Sequence, residues 1–381
     1  MPHAVILGAG RVGAAMVRDL AADPAYDVTV VDARSEAVER FSGDARIEAR
    51  TADVADPGAI GRAVAHADVV VGALPSAIGL QTLRAVIDAG KPYVDISFMA
   101  EDPLVETPRA ERQGVVAVVD CGIAPGVSNM MAGWAAAKLD RCDRIDIYVG
   151  GLPVERRWPF EYKAGFAPSD VIEEYVRPAR VVEHGQVVVK EALSEPELID
   201  FPSVGTLEAF NTDGLRSLTQ TLPVPNMREK TLRYPGHVAL MRAFRTTGLF
   251  SKQPIDVGGV AVRPLDVTSA LLFPKWAYED REPDLTVLRV IARGVADGAA
   301  VEYRWHLHDV YDPDTDTRSM SRTTAYPATA VARMIAEGRF PLGPGVYPPE
   351  IPAQQPGFLD EVLAALDARG VRCVATVVER A

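Results

Sequence analysis

HAVILGAGRVG, residues 3–13, decides the fold. Five strand-type residues run into Gly8-Ala9-Gly10-Arg11-Val12-Gly13, and a helix is expected to open there and cover residues 11–21. Gly8 permits a tight turn, Gly10 lets backbone approach a pyrophosphate, and Gly13 lets helix and strand pack closely. The helix start adds unspent N–H groups and the positive end of its dipole, which suit phosphate. Asp32 ends the next apolar run, 19 residues beyond Gly13, where it can accept hydrogen bonds from an adenosine ribose. A carboxylate there repels a 2′-phosphate and favours NAD. Arg34, two residues on past Ala33, can pair with that phosphate instead, so NADP stays open.

Outward from this loop, DVTVVD (27–32), RIEAR (46–50), DVVVGAL (68–74), PYVDI (92–96) and VVAVVD (115–120) alternate with helix-length segments. Nearly continuous Val/Ile runs of this kind are strands of a parallel sheet buried on both faces. The expected class is α/β, with an N-terminal doubly wound dinucleotide-binding half. Open α/β sheets bind ligands at the carboxyl ends of their strands. That rule adds Asp53 and Val54, then Leu74, Pro75 and Ser76, then Asp95, to the cofactor candidates; Asp53 reads equally well as part of a helix start.

From about residue 143 the pattern changes to hairpins. RVVEHGQVVV (180–189) and a long pair broken by Ala-Asp-Gly at 296–298 predict an α+β domain with an antiparallel sheet, suited to substrate binding and dimerisation. Amphipathic helices follow at 324–338 and 357–370, joined by a Pro-rich connector, with a last strand over 372–378. The expected division is 1–124, 125–340 and a C-terminal 341–381 that packs back on the first domain.

The bulk numbers narrow the function. A formal charge of -12 over 381 residues repels nucleic acid and anionic membrane surfaces. There is no secretory leader pattern and no apolar run long enough to span a bilayer. Cys121, Cys142 and Cys373 form no paired spacing, so neither disulfides nor zinc are expected, and reduced cytoplasmic thiols are.

The motifs GAGRVG (8–13), DCGIAPGVSNM (120–130), IYVGGLPV (147–154), GTLEAFNTDGLRSL (205–218), KTLRYPGH (230–237), TAYPATAVARMIAEG (324–338) and PGVYPPE (344–350) together resemble the saccharopine dehydrogenase-like family, and within it the lysine 6-dehydrogenases. The resemblance implies a two-domain homo-oligomeric oxidoreductase that oxidises an amine carbon of lysine, or of a lysine-derived secondary amine such as saccharopine or carboxynorspermidine, with a nicotinamide cofactor. A nucleotide-binding sensor or scaffold without turnover is the competing class. The Asp213-Gly214-Leu215-Arg216 stretch departs from the small residues that lysine dehydrogenases carry after the EAF segment, which leaves the substrate end of the pocket open.

Amine oxidation needs a neutral nitrogen, and a lysine-like amine has a reference pKa near about 10.4. A base tuned near neutrality serves. His237, after the Pro235-Gly236 turn, is the first candidate and Lys230 competes if burial depresses its pKa. Arg233 or Arg216 can grip a substrate carboxylate bidentately, and either can equally be a surface arginine. Asp120 and Glu208 can hold ammonium groups, with Asp120 placed at a strand end; Thr212 and Tyr162 are hydrogen-bonding candidates. His306 and His308 share a strand face without a third ligand partner, Cys121 lacks a base, and Ser76 and Ser128 lack a nucleophile elbow.

Overall fold

The computed structural model describes residues 1–380. In chain order the first strands and helices are β1 (His3–Leu7), α1 (Arg11–Ala21), β2 (Asp27–Asp32), α2 (Ser35–Glu39), β3 (Ile47–Thr51), α3 (Pro57–Val64), β4 (Val69–Gly72), α4 (Gly79–Asp88), β5 (Tyr93–Asp95), α5 (Thr107–Gln113), β6 (Val116–Val118) and α6 (Val127–Lys138). Then come β7 (Arg141–Pro153), α7 (Pro168–Val176), β8 (Ala179–Glu183), β9 (Gln186–Lys190), β10 (Glu197–Phe201), β11 (Gly205–Asn211), α8 (Leu218–Thr221), β12 (Met227–Arg233), α9 (His237–Thr246), β13 (Ile255–Val257), β14 (Val260–Val262), α10 (Pro264–Trp276), β15 (Asp284–Ala296) and β16 (Ala299–Val310). The chain closes with α11 (Ser319–Ala336), β17 (Gly345–Tyr347), α12 (Phe358–Asp367) and β18 (Cys373–Arg380).

Two compact units result. The first holds Met1–Lys138 and Ser321–Cys373, and the second holds Leu139–Met320 and the chain from Val374. In the first, all pairings are parallel and the strands run in the order β17-β6-β5-β4-β1-β2-β3. The chain moves outward from β1 to β3, then returns to the other side of β1 with β4. That reversal makes a crevice at the carboxyl ends of β1 and β4.

The expected break at residue 124 falls instead after Lys138. Helix α6 is buried along most of its length, and a Cβ on its Gly133 would stand 2.2 Å from the Glu350 carbonyl oxygen, so backbone packs on backbone there and the helix is tied to the first unit. The break expected near 340 also moves, because α11 belongs to the first unit from Ser321 onward. It starts earlier than its sequence pattern because the Asp284 carboxylate, 35 residues upstream, accepts from Ser319 N at 2.7 Å and Met320 N at 3.0 Å. A cap supplied from so far away leaves no local sequence mark. The tail does return to the first sheet, where β17 pairs with β6, but β18 leaves it to join the second sheet beside β16.

That second sheet is mixed rather than antiparallel. Its main path is β10-β11-β12-β7-β15-β16-β18, and β12 lies parallel to β7 while β10 and β11, β11 and β12, β7 and β15, and β15 and β16 pair antiparallel. The hairpin over 296–298 forms in register, from Ala296 opposite Ala299 to Leu285 opposite Val310. The helices α7, α9 and α10 contribute Val171, Tyr175, Val238, Met241, Leu272 and Trp276 to an apolar cluster that also contains Phe210 of β11.

Within the first unit, Asp19 of α1 gathers the late helices. Its carboxylate accepts from Arg333 Nη1 at 2.7 Å and Thr329 Oγ1 at 2.5 Å, and pairs with Arg369 Nε, while its side chain is only 7% exposed. Removing one member of such a buried cluster strands the others' charge. Asp19→Ala is expected to lower unfolding free energy by about 3 kcal/mol, read from chemical denaturation. A loss below about 0.5 kcal/mol, the size of an ordinary surface change, would show that the cluster holds nothing together.

Candidate functional sites

The glycine loop has the shape a pyrophosphate needs. A Cβ on Gly8 (φ +99°) would stand 2.4 Å from the Ala73 carbonyl oxygen, and one on Gly13 would stand 2.0 Å from the Gly8 carbonyl oxygen. Both positions therefore exclude a side chain. Gly10 differs, since a Cβ there would meet nothing within 4 Å. It lies at the N-cap of α1 without a side-chain cap and with no acidic residue in the first turn, so open space sits over helix N–H groups that lack intrahelical acceptors. These residues fit a dinucleotide phosphate.

Asp32 is nearly buried, its Oδ2 accepting from Ala9 N at 2.7 Å and its Oδ1 from Arg34 N at 2.9 Å. Burial alone would raise its pKa, but the Arg34 and Ala9 amides and the Arg34 side chain hold it below the usual carboxylate value. Arg40, which the sequence reading missed, donates to the carbonyls of Ala9 and Gly10. Burial, Arg18 and Arg34 lower its pKa, and Asp32 works against them. Only tertiary folding brings Arg40 back to the loop, because α2 intervenes between it and Asp32.

Other expected cofactor residues separate by burial. Asp53 is exposed and accepts from Ala55 N at 2.9 Å while Asp56 caps α3, and Val54 and Leu74 have their side chains in the apolar core. Ala33 and Pro75 are exposed and Ser76 half-buried. Asp95 is fully enclosed at the end of β5, its Oδ1 accepting from Tyr93 at 3.1 Å and Ser97 Oγ at 2.9 Å. Asp120 follows β6 in a left-handed conformation, φ 52°, and is 4% exposed.

In the second unit the strand period divides KTLRYPGH. Side chains along β12 alternate faces, so Glu229, Thr231 and Arg233 share one face and Lys230 takes the other. Lys230 is buried, its Nζ donating to the Glu195 carbonyl at 2.6 Å and pairing with Glu197 at 2.9 Å. Burial lowers its pKa, against the Glu197 hydrogen bond. The burial-lowered pKa that a Lys230 base requires is thus present, but Lys230 lies on the face opposite Arg233 and is held by Glu195 and Glu197.

On the opposite face, Arg233 lies 4.4 Å from the Tyr162 ring centroid and donates to Glu174 at 2.5 Å. Burial opposes its charge, but Tyr175, Tyr162 and Glu174 hold its pKa above the ordinary value. His237 shares this enclosure, with Nε2 3.0 Å from the Tyr175 hydroxyl and Nδ1 2.8 Å from the Phe160 carbonyl oxygen. Burial and the Arg233 charge push its pKa down to about 3, against the Phe160 hydrogen bond. An imidazole neutral at all physiological pH is no base tuned to neutrality, so that expectation is corrected.

The remaining candidates fall around these groups. Glu208 accepts from Gly236 N at 3.0 Å, so it steadies the turn ahead of α9 rather than waiting for an ammonium group. Thr212 donates to Glu229 at 2.5 Å, and Gly214 N donates to the same oxygen at 3.0 Å. Burial raises the Glu229 pKa to about 8, helped by Glu174 and opposed by Thr212. Arg216 is 6% exposed with φ 52°; neither it nor Arg233, at 2%, is a surface arginine. Glu229 was legible from strand alternation through Arg233, whereas Glu174 and Tyr175, brought in by α7, left no such signal. His306 stacks on Phe201 with centroids 5.5 Å apart, and burial raises the Cys121 pKa.

Two outcomes test these placements. Asp32→Ala is expected to shift the NAD-to-NADP affinity ratio about 10-fold toward NADP, measured by fluorescence titration, because Arg34 and Arg40 lose the opposing carboxylate; an unchanged ratio would remove Asp32 from cofactor choice. His237 contributes stability that is complete above its unfolded pKa of about 6.5 and is lost as pH falls toward about 3. Between neutrality and about pH 5, His237→Phe should therefore lose about 2 kcal/mol less than the parent in urea titrations. The carboxyls of Asp95, Glu229 and Asp284, whose raised pKa values act in the other direction, are common to both proteins and cancel.

Comparison with known proteins divides the chain near residue 120, close to the break expected from the sequence at 124 and ahead of the structural one after Lys138. Residues 4–118 match the saccharopine dehydrogenase NADP binding domain, and residues 122–371 match the saccharopine dehydrogenase C-terminal domain. Carboxynorspermidine synthase of Vibrio cholerae is 23% identical over 303 residues, covering 74% of this chain and 72% of that protein. Saccharopine dehydrogenase (NADP+, L-glutamate-forming) of Saccharomyces cerevisiae is 23% identical over 433 residues, covering 92% of this chain and 94% of that protein. The solved structure of the apo saccharopine dehydrogenase from Saccharomyces cerevisiae shares the fold, with a TM-score of 0.82 at 18% identity over 99% of this chain and 100% of that one. With both domain models matched and a glycine loop shaped for a dinucleotide, the chain belongs to the saccharopine dehydrogenase family, as an NAD(P)-binding oxidoreductase of amino-acid-related substrates.

Proposed function

We propose that this chain oxidises the ε-amine of L-lysine with NAD(P)+, releasing the semialdehyde or its cyclic imine. The observation that carries the reading is the charge pattern on one face of the second sheet. There the Arg233 guanidinium lies with the Glu174 carboxyl, and Glu229 lies two alternations along the same strand. A guanidinium and carboxyls together complement the carboxylate and ammonium groups of a diamino acid. The substrate carboxylate takes the place of Glu174 at Arg233, and Glu174, whose pKa burial raises against the pull of Arg233, accepts a proton as it is displaced.

The dinucleotide supplies a hydride acceptor when bound. The protein must then remove one proton from the ε-ammonium and hold the amine carbon in position. His237 is unsuited to the proton step and acts as a fixed hydrogen-bonding strut between Tyr175 and Phe160. Asp120 takes the proton in this reading. A second reading keeps the hydride chemistry and enlarges the amine to a secondary one, favoured by relatives named carboxynorspermidine synthase and saccharopine dehydrogenase.

With L-lysine and NAD+ or NADP+, reduced nicotinamide should form, at rates that rise from neutrality toward about pH 10 as the amine loses its proton. Asp120→Asn is expected to lower kcat at least about 100-fold with dinucleotide affinity retained. Arg233→Lys is expected to raise KM for the amine by about 10- to 100-fold. Turnover of saccharopine-type secondary amines with none of lysine would replace the first reading by the second.

A further inference from the structure

Asp95 is a carboxyl with no place in the chemistry above. It ends β5, is fully buried, and leaves its Oδ2 without a hydrogen-bond partner while Oδ1 takes Tyr93 and Ser97. An unsatisfied buried oxygen is costly and calls for an explanation. Room for the carboxyl is made by Gly72 at the end of β4, where a Cβ would stand 2.5 Å from Asp95 Oδ1 and 1.9 Å from the Tyr93 hydroxyl.

No cation answers it among the groups that face it. Tyr93 lies on its own strand, and Asp120 and Cys121 lie beyond β6, with Cys121 N donating to the Asp95 carbonyl at 2.8 Å. Strand β4 presents no titratable side chain. On α4, Arg84 is bound to Glu106 at 2.7 Å and Asp88 to Arg109 at 2.8 Å. Burial pushes the Asp95 pKa up to about 7, with Asp120 adding to the rise and the Ser97 and Tyr93 hydrogen bonds opposing it. Near neutrality the group is poised between its two forms.

The topology says which charge it meets. The pyrophosphate loop sits where the chain reverses between β1 and β4, and Asp32 marks the adenosine side at the end of β2. A dinucleotide bound by that rule would carry its nicotinamide end toward β4 and β5. Its ring is cationic when oxidised and neutral when reduced.

We propose that Asp95 is a charge-compensating group for the nicotinamide, releasing its proton when the oxidised dinucleotide binds and keeping it when the reduced form binds. In an amine oxidation the substrate ammonium loses one proton, a hydride leaves the amine carbon as the C=N bond forms, and the ring charge disappears. Asp95 then takes up one proton, so the proton that Asp120 takes from the amine is matched by one held on Asp95, and none need leave the protein while reduced cofactor is bound, once Asp120 passes its proton on. Asp95 is a positioning residue acting through charge. The inference rests on the dinucleotide-binding site of the first unit and not on the identity of the amine.

Isothermal titration of the full-length protein at neutral pH, in two buffers of different ionisation enthalpy, counts the protons directly. Oxidised cofactor should release about 0.5 proton per site and reduced cofactor about none. Asp95→Asn should abolish the difference, and Asp120→Asn, which removes a neighbouring charge that adds to the rise, should move the difference to lower pH without abolishing it. Equal proton counts for the two redox forms, a difference that persists in Asp95→Asn, or one lost only in Asp120→Asn would overturn the proposal.

If Asp95→Asn does not fold, the wild-type protein decides. The ratio of Kd for oxidised to reduced cofactor should fall by about 3- to 10-fold from about pH 6 to about pH 8, and a flat ratio overturns the proposal. Absence of binding by either redox form would instead remove the dinucleotide site itself.

Discussion

The contact on which the nucleotide-binding unit depends is backbone against backbone at the end of β1. Gly8 faces the Ala73 carbonyl and Gly13 faces the Gly8 carbonyl at separations that no Cβ tolerates. That approach sets the turn from strand to helix, brings β4 beside β1, and leaves Gly10 under open space at the start of α1. Any side chain at Gly8 or Gly13 must push apart the elements whose closeness makes the crevice. Asp32 adds the second tie, since its bond to Ala9 N couples the end of β2 to the same loop. Phosphate cradle and ribose acceptor are thus one assembly, and the carboxylate that would read the ribose is also the one that shapes the loop.

The first sheet was legible because its signals are local. The helix after the glycine loop spans the expected residues 11–21, and each apolar run became a strand. The second unit was less legible because its decisive relations are long range. Nothing near residue 319 indicates that Asp284 will cap α11, and the parallel pairing of β12 with β7 joins segments some eighty residues apart. The final strand reads locally as a strand, but whether it returns to the first sheet or crosses to the second depends on which edge is open to it.

The site was legible in composition and not in partnership. KTLRYPGH gathers Lys230, Arg233 and His237 within eight positions, yet two-residue alternation puts Lys230 and Arg233 on opposite faces. The same alternation, carried four residues upstream of Arg233, picks out Glu229. Residue type also gives only a reference pKa. Burial sends His237 down to about 3 and Glu229 up to about 8, which exchanges the roles that their ordinary values suggest. The histidine becomes a permanent neutral hydrogen-bonding group, and the carboxyls become the groups that hold protons near neutrality.

This exchange has a thermodynamic direction. A carboxyl whose folded pKa lies above its unfolded value favours folding at low pH, and that contribution is lost as pH rises through the interval between the two. Asp95, at about 7, and Glu229, at about 8, therefore oppose folding in the range where their protons are useful. Neither would be retained for stability, since an apolar or amide side chain of similar size avoids the cost of burying ionised oxygen. Asp284 also has a raised pKa, about 6, but two helix N–H groups repay its burial by orienting α11. Asp95 has only neutral donors on one oxygen and nothing on the other, so its cost is uncompensated within the fold. An uncompensated buried acid at the carboxyl end of a parallel strand, on the nicotinamide side of the switch point, is best accounted for by a charge that arrives with a ligand.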